Sequence, residues 1–119
     1  MIVAEVATDT RRFRSVHRFA RISARKARLV AELIRGQHVD EAQDLLRFTY
    51  KKASPLIAKV LKAAIASANE QEADVRALYV VESRIDEGPC FRRWRPKDRG
   101  RAHPILKRMS HITVVVEER

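Results

Sequence analysis

The sequence predicts an α+β domain with a long β-hairpin standing out from it. Three observations lead there. Segments with apolar residues at helical spacing fill residues 24–70, and segments rich in β-branched residues lie on either side of them. The stretch Gly88–Pro104 (GPCFRRWRPKDRGRAHP) sits between two of those strand-like segments and has almost nothing apolar to bury except Phe91 and Trp94. The charge is also unevenly placed: net +10 overall, with residues 29–80 neutral and the excess in Arg11–Arg28 and Phe91–Arg101. A neutral body with two basic appendages follows from that distribution.

Taken in order, residues 1–15 read as an N-terminal extension. Residues 11–22 follow as a short strand, with Val16, Arg18, Ala20 and Ile22 alternating against His17, Phe19 and Arg21. Ser23 stands at an N-cap position, where its side chain can accept a backbone N–H of the first turn. The helix it opens spans Ala24–Arg35, with Ala27, Val30, Ala31, Leu33 and Ile34 apolar and Gly36 as a left-handed stop. A second helix, opened by Asp40 or Val39, covers Asp40–Phe48, facing Ala42, Leu45 and Leu46 inward. The third and longest runs to about Glu70 with Ala53, Ile57, Val60, Leu61, Ala64 and Ala68 on one face. Its start is open. Thr49 can cap it, or it begins at Ser54, where Pro55 occupies a first-turn position that needs no N–H. Lys51, Lys52, Lys59 and Lys62 fall on one side of the helical wheel. A polar loop at Asn69–Asp74 leads to a strand, Leu78–Asp86, with Tyr79, Val81, Ser83 and Ile85 on one face. Ile105–Glu118 is the return strand. The whole reads as a single domain, 1–119, with residues 86–104 as an extended basic hairpin tip.

Composition excludes several classes. One cysteine, Cys90, permits no internal disulfide. Four scattered histidines without repeated Cys/His spacing give no structural zinc site, so no metal or other cofactor is expected. No run approaches the roughly 18 apolar residues of a membrane span, and no membrane partner is expected. Candidate catalytic groups are thin. Asp86 and Glu87 are adjacent on a strand and point to opposite faces. Ser110 and His111 have no acid placed to orient them. The chain therefore reads as a non-enzyme.

The two basic blocks instead fit nucleic acid, because arginine and lysine on phosphate release counterions and supply affinity. The first block supplies Arg11, Arg12, Arg14, Arg18, Arg21, Arg25, Lys26 and Arg28. Three of these crowd the first helical turn, where cations are unfavourable to the macrodipole unless an anion also sits there. The second block supplies Arg92, Arg93, Arg95, Lys97, Arg99 and Arg101, with Trp94 available to stack on a base. Lys107, Arg108 and His111 follow on the returning arm.

The stretches Arg21–Gly36 (RISARKARLVAELIRG), Asp86–Arg101 (DEGPCFRRWRPKDRGR) and Ile105–Val116 (ILKRMSHITVVV) closely resemble the universal large-subunit ribosomal protein twenty-two family, bacterial type. The similarity extends from about Arg18 to Glu118. It implies three helices packed on a small antiparallel sheet with a protruding hairpin. It further implies binding to large-subunit ribosomal RNA, neighbouring large-subunit ribosomal proteins as partners, and a hairpin tip, Phe91–Arg101, that lines the nascent-peptide exit tunnel and meets the passing peptide. The expected location is the cytoplasmic ribosome, with no homo-oligomer. Ala24, Pro55, Trp94 and His103–Pro104 depart from the family's usual pattern, and residues 1–17 extend beyond its usual start. The alternative reading is a DNA-binding architectural protein with a basic β-ribbon, in which Pro96 or Pro104 wedges into the minor groove.

Overall fold

A computed structural model of the chain describes residues 11–119. The extension expected over residues 1–15 lies mostly outside them. The described elements are β1 (Arg12–Ala20), α1 (Ala24–Ile34), α2 (Val39–Phe48), α3 (Ala53–Glu70), β2 (Leu78–Pro96) and β3 (Ala102–Glu118). A single 3-10 turn, Val75–Ala77, precedes β2, and another, Asp98–Gly100, turns the hairpin. The fold is α+β, as the sequence predicts.

The strand order is β1-β3-β2 and both pairings are antiparallel. The last strand in sequence is therefore the central one. This explains its composition, because only β3 is buried on both faces. Ser110, Ile112, Val114 and Val116 are fully covered on the helix side. Thr113 and Val115 are buried on the other side, between Arg14 and Val16 of β1 and Glu82 and Arg84 of β2. No described helix covers that outer face. Long side chains shield it instead, their stems lying on apolar surface while the heads stay wet. Arg84 reaches both Glu82 and Asp86 at 3.2 Å, and Arg12 reaches Glu117 at 3.5 Å.

On the inner face α1 packs against β2, while α3 packs against β1 and β3. One core cluster results, built from Phe13, Val30, Ile34, Val39, Ile57, Leu61, Leu78 and the β3 valines among others. The face expected for α3 is the face that is buried. Small residues on it, Ala53, Ala64 and Ala68, let the helix lie close to the sheet.

Several expectations need correction. The third helix opens at Ala53, and Thr49 terminates α2 instead, its hydroxyl donating to Leu45 O at 2.6 Å. Pro55 is then the third helical residue, and its missing N–H is one that no intrahelical carbonyl would meet. Lys51 and Lys52 lie in the bend before the helix, which splits the lysine stripe. Leu45 is exposed where it was expected inward, and the apolar Leu33 is exposed on α1, because α1 and α2 bury narrower stripes through Ala31–Ile34 and Ala42–Leu46.

The strand faces differ from simple alternation for one physical reason. An extra residue in one strand moves every following side chain to the other face. In β2 the pairing shifts between Val80 and Glu82, so Leu78 and Val80 are buried before the shift and Ser83 and Ile85 after it. Tyr79 and Val81 thus do not share a face with Ser83 and Ile85. A second shift falls between Glu87 and Cys90. In β1 the shift lies between His17 and Ala20, where Phe19 takes φ 60°. Phe13 and Ala20 are buried on either side of it and Val16 is exposed.

Candidate nucleic-acid interface

The first basic block divides when the strand and helix fold. Arg11 and Arg12 are neutralised by Glu118 and Glu117 at 3.7 and 3.5 Å, and Arg11 also donates to Gln71 O. Arg14 and Arg18 stand exposed on β1 with no carboxylate partner among the described residues. At the start of α1, Ser23 takes an extended conformation and accepts from Lys26 N at 3.4 Å, as a cap should. Ala24 and Ala27 are buried beneath the first turn, so Arg25 and Lys26 project outward.

Arg28 has a structural task that sequence gave no reason to expect. Its guanidinium donates to Ile85 O at 3.1 and 3.3 Å. Arg35, two turns on, donates to Ser83 O at 2.9 Å. The two arginines tie α1 to the β2 stretch that follows the first bulge. Arg28 keeps further donors, since a guanidinium carries five.

The finger begins where β2 passes the body. Gly88 lies in the second bulge, and a Cβ there would stand 3.2 Å from Met109 O and 3.3 Å from the His111 ring. His111 Nδ1 accepts from Phe19 N at 3.1 Å, and the two rings meet edge to face at 5.0 Å. His111 therefore touches both flanking strands at their bulges. Asp86 is held by Arg84, and among the described residues no group of three or more His, Cys, Asp or Glu is placed to hold a metal ion. No described helix is long and apolar enough to cross a membrane.

Beyond the bulge the ladder continues to Pro96–Ala102, with Trp94 facing Pro104. Two features close the turn: Arg99 (φ 59°) and Gly100 (φ +72°) both adopt left-handed backbone. All residues from Phe91 to Pro104 are exposed. None of Arg92, Arg93, Arg95, Lys97, Arg99 and Arg101 makes an ion pair among the described residues. The finger has not folded back onto the carboxylates of the body.

Body and finger meet in a groove. Arg21, Ser23, Lys26, Lys52, Arg93, Lys107 and Arg108 line a hollow of about 630 Å³, floored by Ile22, Leu106 and Met109. It has six cations and no acid. Arg21 and Arg93 each stand 5.3 Å from the Phe91 ring centroid, one from the body and one from the finger. A cation over an aromatic face is attracted by the ring quadrupole, so Phe91 positions two guanidinium groups at the groove. Residues from four separated segments thus converge there. Lys52 is the member that was not among the cations expected to meet nucleic acid. A second hollow of about 620 Å³ continues along the bend before α3, with Arg47, Tyr50, Lys51, Lys52 and Lys62 on its walls. The one available signal for it was the run Tyr50-Lys51-Lys52, an aromatic beside two cations between helices. Arg25 and Cys90 face a smaller pocket of about 310 Å³ with Glu87 and Arg108.

Such an arrangement can hold a polyanion at several points. The family model described as Ribosomal protein L22p/L17e matches residues 15–117, which takes in every described element except the first residues of β1 and the end of β3. With most of its length covered and an uncompensated basic finger on an α+β body, the chain belongs to the Ribosomal protein L22p/L17e family, structural and RNA-binding components of the large ribosomal subunit.

Proposed function

We propose that the finger enters folded large-subunit RNA, that its tip forms part of the wall of the nascent-peptide exit tunnel, and that the groove at its root grips the RNA backbone. The observation that carries this reading is that the six finger cations are exposed and have no ion-pair partner among the described residues. A two-stranded ribbon with no packed face is marginal in water, and like charges along it repel. Phosphate on both sides removes the repulsion and supplies the missing partner. Arg14, Arg18, Arg21, Arg25 and Lys26 anchor the body. Arg92, Arg93, Arg95, Lys97, Arg99, Arg101, Lys107 and Arg108 follow the finger, and Trp94 lies where it stacks on a base or faces the passing peptide. His111 acts by fixing the finger's root and meets RNA at most by its ring edge.

The test has two arms. Affinity for structured ribosomal RNA is measured against salt. With around ten phosphate contacts, log affinity falls with log salt at a slope of about −7 to −9. A slope shallower than about −3, or tighter binding to duplex DNA at equal salt, overturns the RNA reading. For the tunnel, a photo-reactive residue at Trp94 is irradiated in ribosomes carrying a stalled peptide. Crosslinking to the peptide or to tunnel RNA is expected, and crosslinks only to external factors overturn the placement.

A further inference from the structure

Helix α2 carries a surface unlike the basic interface. Gln37, Glu41, Asp44, Leu45, Phe48 and Thr49 line an open hollow of about 630 Å³. Spacings of three, four and seven residues put Glu41, Asp44, Leu45 and Phe48 on one side of the helix, with Gln37 and Thr49 at its two ends. Leu45 is 39 % exposed and Phe48 74 %. Residues 37–48 contain three acids and one cation, within a chain of net charge +10. Asp40 stands 3.7 Å from the His38 ring, and neither Glu41 nor Asp44 has an ion-pair partner among the described residues. RNA suits this surface badly. Its phosphates would meet two uncompensated carboxylates and leave Leu45 and Phe48 wet. A polypeptide with cations and a large apolar side chain satisfies both parts: the cations lie over Glu41 and Asp44, and the apolar side chain fills the space between Leu45 and Phe48. Sign complementarity of this kind fixes register and excludes wrong partners.

We propose that the Glu41–Phe48 face of α2 docks a basic, apolar-bearing segment of another protein in the assembled particle. With six lining residues against the roughly 20–30 a side of a stable pair, the patch does not hold such a segment unaided. The proposal therefore rests on the large-subunit reading, in which RNA holds both partners nearby.

The test replaces Phe48, and separately Leu45, by photo-reactive p-benzoylphenylalanine in the full chain, expressed in its own cells. Large subunits are isolated on gradients and irradiated, and the crosslinked segment is identified by mass spectrometry. Expected is one polypeptide segment of net positive charge. Its crosslink should fall at least fivefold when Glu41→Lys and Asp44→Lys are added. A crosslink to RNA, to a second copy of this chain or to a neutral or acidic segment overturns the inference. So does no crosslink from either position, or a yield indifferent to charge reversal. If the unsubstituted chain itself never sediments with large subunits, the reading beneath it fails too, and the gradient distinguishes the two failures.

Discussion

Glycine is used for two different physical reasons in this chain. Gly36 has φ +75° with open space where a Cβ would be, so its requirement is conformational. It ends α1 and donates its N–H to Val80 O at 2.8 Å, joining the helix to β2. Gly36→Ala should cost about 1 kcal/mol through left-handed backbone strain, read as a lower denaturant midpoint with unchanged slope. Gly88 lacks that conformation, and its requirement is room. Gly88→Ala requires Met109 O and the His111 ring each to yield by a few tenths of an ångström, and a loss of about 1 kcal/mol is expected from overpacking. Because the clash sits at the finger's root, the variant should also shift the backbone resonances of Phe91 and Phe19, whereas Gly36→Ala should leave them in place. In the core, Leu61→Ala removes a fully buried side chain between α3 and the sheet and should cost about 2–5 kcal/mol.

At the scale of elements, bulges rather than propensities set which side chains face the helices. β2 has 19 residues and β3 has 17, and the two shifts in their pairing account for the difference. Deleting Val81 removes the first bulge and restores simple alternation, so Leu78, Val80, Ser83 and Ile85 all stay on the helix side and the cooperative melting transition in circular dichroism should survive. Deleting Arg84 instead, with the bulge kept, puts Ser83 and Ile85 on opposite faces, and that transition should be lost. Helix α1 adds a constraint of its own, with Arg28 and Arg35 holding the carbonyls of Ile85 and Ser83. Capping, apolar stripes and the left-handed stop at Gly36 were legible because each depends on residues close in sequence. The bulges were not, because they depend on the register against a strand that arrives later in the chain.

The whole molecule is elongated. Its longest extent is 70 Å and its radius of gyration 18.3 Å, against about 14 Å for a compact domain of this length. The finger supplies the difference and buries almost nothing. Replacing Arg92–Leu106 by Asn-Gly, which closes Phe91 onto Lys107 through a two-residue turn, should leave the melting temperature of the body within a few degrees. The same change removes six cations, so the salt slope of RNA binding should become shallower by about 4–5. In the free chain, amides of Phe91–Arg101 should exchange much faster than those of α3, and binding to RNA should slow them. Exchange as slow as the helix before binding would contradict a finger that depends on phosphate for its order.

The sequence by itself determined the two basic blocks, the three helices, the buried face of α3 and the finger between its strands. Those properties follow from composition and from periodicities that act over a few residues. Only the tertiary structure decided that β3 is central, that Arg11 and Arg12 are neutralised while Arg14 and Arg18 have no carboxylate partner among the described residues, and that Arg21, Lys26, Lys52, Arg93, Lys107 and Arg108 share one groove. Charge partners and groove walls are set by distances between segments tens of residues apart, and these exist only once the helices have been packed against the sheet.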